Sequence, residues 1–416
     1  MTDCVCDAVP DRHCGGNTQE EPTTPAWTAV FSLAMGVFGL LTAEYLPASL
    51  LTPMAVDLGV SEALAGQAVT VTAVVALFAG LLVPGLTRSI DRRLVLLGFS
   101  ALMIASNLLV AVSSSLTVLL VMRILLGIAL GGFWSMAAAV AMRLVPVALL
   151  PRALSIIFSG IAVGTVVAVP LGSYLGELFG WRSAFLAAAA VGVLTMAFQS
   201  FTLPPLAPRR PARLRTIFDV LRRPGIAMGM LGCVLVHSGH FALFTYVRPF
   251  LESTSGIGPQ GLALMLLGFG LANFVGTLLA GRLLEHSPRA TLVLMPVLVG
   301  LVALTLVLVP ATVTGQAALL AIWGLAFGGV PVAWSNWVAS AVPDQAESAG
   351  GMVVASVQSA IAIGAAAGGA MFSFSGIAGV FLAAGGLMLV AALLIALRVR
   401  VEAPRQRGES RPSLHL

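Results

Sequence analysis

The chain contains no lysine and few charged residues of any kind. Only 9% of its 416 residues are charged, whereas 58% are hydrophobic, and the mean hydropathy is +1.01. Soluble domains carry about 25% charged residues, so this composition excludes an ordinary soluble protein and predicts an all-α, polytopic membrane protein. The net charge of +5 rests on arginine alone and does not indicate nucleic-acid binding, because the arginines fall between apolar segments.

Cysteine is scarce as well. Cys4, Cys6 and Cys14 lie near His13 in a polar N-terminal stretch, and Cys233 lies in an apolar segment. The N-terminal group could bind a soft metal, but its spacing matches no standard site. We therefore expect no metal and no other cofactor. The same stretch lacks the apolar core of a secretory signal, and we expect residues 1–26 to form a disordered cytoplasmic tail.

A repeated glycine pattern organises the rest of the chain. The segments Leu125–Trp134 (LLGIALGGFW) and Ile322–Gly329 (IWGLAFGG) carry the same three glycines at a constant separation of 197 residues. A second pair, Gly80 and Gly85, recurs 196 residues later. Glycines four residues apart let membrane helices approach closely. Repetition at about half the chain length predicts a duplicated structure of two similar bundles.

Twelve apolar segments are long enough to cross a membrane, since one crossing needs about 20 residues. They cover residues 27–52, 63–86, 94–113, 116–141, 153–176, 183–203, 225–250, 260–284, 290–309, 315–341, 348–373 and 376–397. We expect a six-helix bundle over residues 27–203, a basic cytoplasmic linker over 204–224, a second six-helix bundle over 225–398, and a cytoplasmic tail over 399–416.

Arginine placement orients these segments. With the N-terminus in the cytoplasm, 19 of the 22 arginines fall on the cytoplasmic side, only Arg182 and Arg248 lie outside, and Arg123 lies within a segment. Positive residues favour the cytoplasmic side, so both termini are expected there.

Several motifs resemble those of the major facilitator superfamily, and in particular its arabinose-efflux-like, drug-exporting proton antiporters. The resemblance covers about Trp27 to Arg398. Arg123 followed by Gly127 resembles the fourth-helix motif, and Glu44-Tyr45-Leu46-Pro47 resembles the first helix of that branch. The fifth-helix antiporter motif is resembled by Gly160, Gly164, Pro170 and Gly172. The resemblance implies the major facilitator fold, with 12 transmembrane helices in two pseudo-symmetric bundles.

One loop departs from the superfamily pattern. After the second helix, Arg88 stands where an aspartate is usual, and Asp91 replaces a later glycine. This departure puts in doubt the ionic contact that the motif normally makes on the cytoplasmic side.

At finer scale, the blocks Val69–Ala73, Leu130–Trp134, Met142–Pro146 and Phe244–Pro249 are similar to the purine-nucleoside-exporting members of the superfamily. The resemblance implies a proton-coupled efflux transporter of the bacterial inner membrane that exports purine ribonucleosides such as inosine, guanosine and adenosine. Protons and the nucleoside would be its partners, the proton motive force its energy source, and the monomer its working form.

Four ionisable residues within the apolar segments are candidates for proton coupling, because charge at membrane depth costs about 2.5–3.5 kcal/mol. Facing a cavity, Glu44 would be partly desolvated and able to exchange a proton, or it could be a permanently charged structural group. Arg123 cannot shed its proton, so it either tunes an acid or holds helices together. His237 and His240 share a helix face and are either a proton relay or a hydrogen-bonded polar pair.

Amide and aromatic side chains are the candidates for substrate binding. Amides donate and accept hydrogen bonds at once, and a purine ring stacks on aromatic rings. The candidates are Gln67, Asn107, Trp134, Phe241, Asn273, Trp334, Asn336, Trp337 and Gln358.

Other functions remain open at this point. A sugar, an amphipathic drug or an amino-acid-related metabolite would fit the same fold. A non-transporting membrane sensor would need a sizeable soluble output module, which the chain lacks outside its short tails. An enzyme is not expected, because no catalytic constellation converges on one membrane face.

Overall fold

The computed structural model describes residues 24–146, 149–207, 221–310, 312–342 and 346–399. Within them the first half of the chain forms helices α1 to α8. Their bounds are Trp27–Ser49 (α1), Leu51–Leu58 (α2), Glu62–Ala65 (α3), Gln67–Leu86 (α4), Arg92–Ala111 (α5), Leu116–Leu144 (α6), Leu150–Phe179 (α7) and Trp181–Thr202 (α8). The predicted tails and most of the predicted linker lie outside the described residues.

The second half forms helices α9 to α15. Their bounds are Ile226–Thr245 (α9), Val247–Ser255 (α10), Pro259–His286 (α11), Pro288–Leu308 (α12), Val313–Gly328 (α13), Val330–Ala341 (α14) and Ala346–Arg398 (α15). No strand occurs among the described residues. The all-α expectation is confirmed.

Among the described residues, eleven helical segments are long and apolar enough to cross a membrane. The longest, Met352–Arg398, has 47 residues, about 70 Å at 1.5 Å per residue, against a hydrocarbon core of about 30 Å. It bends at Gly376, whose φ of 67° is non-helical. This segment therefore accounts for two of the twelve predicted crossings.

The duplicated glycines pack in the same way in both halves. A Cβ on Gly131 of α6 would lie 2.0 Å from the carbonyl oxygen of Ala76 in α4, and one on Gly328 of α13 would lie 1.9 Å from that of Asn273 in α11. No Cβ fits at such distances, so only glycine, which carries a hydrogen in that place, allows these helices to approach so closely. The separation of 197 residues relates both members of each pair, which shows that the repeat seen in the sequence is a repeat of helix packing.

Two predicted crossings end earlier than expected. Residues 27–52 are divided where α1 ends at Ser49, and residues 225–250 are divided where α9 ends at Thr245. In each half a short helix follows, and it ends on a left-handed glycine, Gly59 in one half and Gly256 in the other. The apolar composition continues through both breaks, so hydropathy alone extended the two crossings too far.

The molecule thus has two distinguishable faces. One carries α2, α3 and α10, and we call it the short-helix face. The other carries the ends of the long helices near Arg88, Arg143 and Arg289, and we call it the arginine face.

The unusual loop before α5 lies on the arginine face. Asp91 accepts a hydrogen bond from Arg93 N at 2.8 Å, which caps α5, and both its carboxylate oxygens lie 3.0 Å from Leu206 N. The Arg93 guanidinium donates to the backbone oxygen of Ser200. In this structure the loop holds the end of α8 and the residues that follow it.

Candidate functional site

Arg123 is the most enclosed charge of the first half, with no exposed surface. Its Nε donates to Thr72 Oγ1 at 2.9 Å and its Nη1 to the Ala43 carbonyl oxygen at 2.8 Å. Pro47 explains the second contact. A proline has no N–H, so the carbonyl four residues earlier in α1 lacks its usual helical donor, and the arginine supplies one. Arg123 thereby joins α1, α4 and α6.

Glu44 lies beside this arginine, on α1, and is only 3% exposed. Arg123 Nη2 lies 3.4 Å from the backbone oxygen of Glu44. The Oε1 atom of the carboxyl group has no hydrogen-bond partner among the described residues. Because burying a polar atom without a partner costs free energy, this atom is placed to take a proton or a ligand.

A small cavity lies at Glu44 between the two halves. The first half lines it with Glu44, Tyr45, Ala48 and Val69, and the second half with Phe241, Phe244, Thr245 and Ile361. Its free space is about that of a single water molecule, so a drug-sized solute would fit only after the halves or the lining side chains move.

The cavity combines aromatic walls with a few polar atoms. Tyr45 and Phe244 meet edge to face across the halves, with ring centroids 5.5 Å apart. Thr245 Oγ1 is buried without a hydrogen-bond partner among the described residues. Flat rings and unsatisfied polar atoms together suit a planar solute that carries donors and acceptors.

The two histidines of α9 do not line the cavity themselves and lie in the aromatic core of the second half, where His240 stacks on the lining residue Phe244 with ring centroids 5.6 Å apart. His240 stacks on Phe327, with ring centroids 3.2 Å apart, and its Nδ1 accepts a hydrogen bond from Trp323 Nε1 at 3.1 Å. His237 Nδ1 lies 2.8 Å from the Cys233 carbonyl oxygen. Both rings are thus held by packing and hydrogen bonds within the second half. A proton relay through them stays a hypothesis.

The predicted amides are dispersed rather than gathered. Asn107 and Gln358 are buried, and both amide atoms of Asn107 and Oε1 of Gln358 have no partner among the described residues. Gln67 lies near the short-helix face, where its Nε2 is 3.5 Å from the Ala63 carbonyl oxygen. Asn273 is half-buried and Asn336 is exposed. None of the five lines the cavity at Glu44.

Of the predicted aromatic residues, only Phe241 lines the cavity. Trp334 and Trp337 instead pack in the core of the second half, and the space they fill is left by glycines: a Cβ on Gly229 would lie 1.9 Å from the Trp337 ring. Trp134 is half-buried beside Phe158, with ring centroids 5.9 Å apart. In this structure the three tryptophans do not share the cavity with Phe241, and their part in substrate binding stays a prediction.

The antiporter-motif residues hold α7 against α1. A Cβ on Gly160 would lie 2.4 Å from the Ala34 carbonyl oxygen, and one on Gly172 would lie 2.6 Å from Leu46. A Cβ on Gly164 would meet α1 at an ordinary van der Waals distance. Pro170 lies inside α7. These residues therefore pack α7 against α1, the helix that carries Glu44.

Arg248 joins the two halves at the short-helix face, a role that arginine counting did not reveal. It lies in α10, is 3% exposed, and donates from Nη1 to the Ser49 carbonyl oxygen at 2.6 Å. Pro53 leaves that carbonyl without a helical donor, as Pro47 does for Ala43. The available signal was therefore a proline four residues after each carbonyl that receives an arginine.

Carboxylates and hydroxyls surround Arg248. Its Nε pairs with Glu252 Oε1 at 2.8 Å within α10, and its Nη2 lies 3.6 Å from Glu177 Oε2 of α7. From α2, Thr52 Oγ1 lies 2.7 Å from Glu62 Oε1 and within hydrogen-bond distance of Glu252 Oε2. We call Thr52, Glu62, Glu177, Arg248 and Glu252 the cross-half latch.

Apolar packing closes the same face. A Cβ on Gly66 would lie 2.3 Å from the Tyr246 hydroxyl, and one on Gly369 would lie 3.1 Å from the Ala63 carbonyl oxygen. Tyr246 itself donates to the Ala365 carbonyl oxygen at 3.1 Å. These contacts pack the two halves against each other at the short-helix face.

Comparison with known proteins gives the following relatives. A family profile described as the Major Facilitator Superfamily matches residues 31–359 and 233–414. The proteins named "Purine ribonucleoside efflux pump NepI" of Salmonella typhimurium, Salmonella typhi and Salmonella choleraesuis are each 45% identical over 377 residues. Each match covers 91% of this chain and 95% of the relative.

Solved structures share the fold at much lower sequence identity. A D-xylose-proton symporter matches with a TM-score of 0.75 and 16% identity, covering 90% of this chain and 98% of that one. A bacterial homologue of the human lysosomal transporter Spinster matches with a TM-score of 0.69 and 15% identity, covering 91% of this chain and 97% of that one.

Proposed function

This chain belongs to the Major Facilitator Superfamily of membrane transporters, and on that premise we propose that it is a proton-driven exporter of purine ribonucleosides. The proposed location is the bacterial inner membrane, with both termini in the cytoplasm. The positive-inside rule then makes the arginine face cytoplasmic and the short-helix face external. It needs no cofactor and catalyses no reaction, and the monomer is its working form.

Glu44 is the observation that carries the coupling part of the proposal. Its carboxyl is buried at the wall of a cavity between the two halves, with one oxygen unpartnered among the described residues. A carboxyl in such a place can hold a proton when the cavity opens outward and release it when the cavity opens inward. The alternation of two similar halves about such a site is the working principle of repeat-built transporters.

The energy balance is sufficient for uphill export. One charge crossing 100 mV releases about 2.3 kcal/mol, and each tenfold gradient of a neutral solute costs about 1.4 kcal/mol. A single proton moving inward could therefore sustain an approximately 40-fold outward gradient of a neutral nucleoside.

Two observations support a nucleoside as the substrate. The relatives at 45% identity are named purine ribonucleoside efflux pumps and match over 91% of this chain. The cavity also combines the rings of Tyr45, Phe241 and Phe244 with the unpartnered hydroxyl of Thr245, which is the mixture that a purine with a hydroxylated sugar requires.

Everted membrane vesicles test the proposal. Vesicles with an acid interior are given radiolabelled inosine, guanosine, adenosine, arabinose and chloramphenicol, and vesicles without the transporter are the control. We expect accumulation of the three nucleosides, abolished by a protonophore. Accumulation of chloramphenicol or arabinose without the nucleosides would make the substrate assignment wrong, and nucleoside accumulation that survives the protonophore would contradict proton coupling.

A further inference from the structure

The cross-half latch contains a hydroxyl that serves two carboxyl groups from opposite halves. Thr52 Oγ1 contacts Glu62 of the first half and Glu252 of the second. A hydroxyl has one proton to donate. When both carboxyls are ionised, only one of the two contacts can be a hydrogen bond, and the other brings lone pairs together.

One additional proton resolves this conflict. If either Glu62 or Glu252 is protonated, that carboxyl donates to Thr52 Oγ1 while Thr52 donates to the other carboxylate. Both contacts are then hydrogen bonds, and the chain carboxyl–hydroxyl–carboxylate ties the two halves together. Two carboxyls that share a site repel unless one is neutral.

The charges that face the latch point the same way. Arg248 is the cation within it, against the three carboxyls of Glu62, Glu177 and Glu252. An excess of negative charge at a closed interface favours proton uptake.

Neighbouring elements do not change that balance. On α2, Asp57 is engaged by Arg182 at 2.6 Å, and the hydrogen bond from that guanidinium lowers the pKa of Asp57. Asp57 therefore stays ionised while the latch titrates. Between α9 and α10, the hydroxyl of Tyr246 donates to the Ala365 carbonyl oxygen. Residues 352–397 of α15 and 259–281 of α11 contain no titratable side chain.

We propose that the cross-half latch is a proton-dependent gate, and that closing the short-helix face takes up one proton shared by Glu62 and Glu252 through Thr52. The inference rests on the membrane orientation given under the proposed function but not on the substrate. Lowering the external pH favours the closed gate, and raising it favours the open one. Since one proton is exchanged, the ratio of closed to open molecules changes by up to about tenfold per pH unit.

Distance measurements across the face test the gate. In the full-length chain with Cys4, Cys6, Cys14 and Cys233 replaced by serine, single cysteines at the exposed positions Val56 and Ser253 carry spin labels. The protein is reconstituted in lipid nanodiscs without substrate, and the label distance distribution is recorded between pH 5 and pH 9. We expect a short distance at low pH and a growing long-distance population as the pH rises.

Matched variants identify the proton site. Glu62→Gln and Glu252→Gln, each of which mimics the protonated carboxyl, are expected to keep the short distance across the whole pH range. Glu177 lies near Arg248 but does not contact Thr52. Glu177→Gln is therefore expected to keep a pH-dependent distance change, with its midpoint shifted to lower pH by the loss of one negative charge.

Two results would overturn the proposal. One is an unchanged pH dependence in both Glu62→Gln and Glu252→Gln. The other is loss of the pH dependence in Glu44→Gln, which would place the responsible proton at the cavity. Because no substrate is present, a wrong nucleoside assignment would leave this measurement unaffected.

Discussion

The two halves of the molecule share one scaffold but differ at its centre. Glu44 lies five residues before the end of α1, and His240 lies five residues before the end of α9. Around Glu44 the first half places Arg123 and Thr72, and 197 residues later the second half has Leu320 and Phe269. The same helix packing therefore encloses a charged, hydrogen-bonded group in one half and a stacked aromatic group in the other.

The difference shows that the two halves of a duplicated fold can have different chemical properties. The buried charges of the first half are compensated by carbonyls and a hydroxyl, and one carboxyl oxygen remains unpartnered among the described residues. The second half has its imidazole engaged by Trp323 and Phe327. The comparison supports our proposal that proton coupling belongs to the first half, and the second half provides an aromatic wall.

The prediction with the largest expected effect replaces Glu44 and His240, which occupy equivalent places in the two halves. Glu44→Gln removes the exchangeable proton, so the accumulation ratio of nucleoside in everted vesicles should fall from as much as about 40-fold to 1. His240→Gln should keep uphill accumulation. Exchange of labelled for unlabelled nucleoside, which needs no proton gradient, is the control for folding. Uphill transport by Glu44→Gln would remove Glu44 from the mechanism, and loss of coupling in His240→Gln alone would reverse the comparison.

The next test asks whether the shared scaffold is equally tight in both halves. Gly131→Ala and Gly328→Ala each place a Cβ within 2.0 Å of a backbone oxygen, and overpacking of this kind costs about 1–3 kcal/mol. Both should lower the unfolding temperature in detergent by similar amounts. Gly98→Ala and Gly268→Ala are matched controls, since a Cβ there meets nothing within 4 Å, and they should not destabilise. A large effect in only one half would break the structural equivalence.

The smallest expected effect compares one hydroxyl from each half. Thr72 Oγ1 accepts from the charged Arg123, whereas Thr277 Oγ1 donates to the neutral Gly328 carbonyl oxygen at 2.8 Å. Hydrogen bonds to charged groups are worth more than neutral ones. Thr72→Val should therefore cost about 2 kcal/mol and Thr277→Val about 1 kcal/mol, measured as shifts of the unfolding temperature under the same conditions. Equal shifts would mean that Arg123 finds another partner.

Much of this fold could be predicted because it depends on local patterns in the sequence. Apolar length predicts the crossings, and the glycine repeat predicts which helices approach closely, since only glycine allows backbone contact there. The predicted crossings failed in detail at residues 50–52 and 246–250, where apolar composition continues through a break in the helix. Hydropathy measures the cost of leaving water and is insensitive to backbone geometry.

The candidate site was harder to predict. Glu44 and Arg123 were recognisable because charge is costly within a membrane. The sequence could not distinguish the tryptophans that pack in the core from aromatic residues that line the cavity. Trp337 fills the space beside a glycine and Phe241 lines the cavity, but both are aromatic residues within apolar segments. The latch was missed for a different reason. Glu62 and Glu252 lie between predicted crossings, where charges are ordinary, and Thr52 and Arg248 lie at the outer ends of two predicted crossings.

By itself the sequence determined the membrane class, the duplicated helix framework and the buried charge of the first half, because composition, period and the cost of desolvation act locally along the chain. The three-dimensional packing of the helices determines which carbonyl each arginine satisfies, which aromatic rings face the cavity, and which carboxyls of the two halves meet at Thr52. Those contacts join residues up to 200 positions apart, and no local pattern encodes the distance between two side chains that the fold brings together.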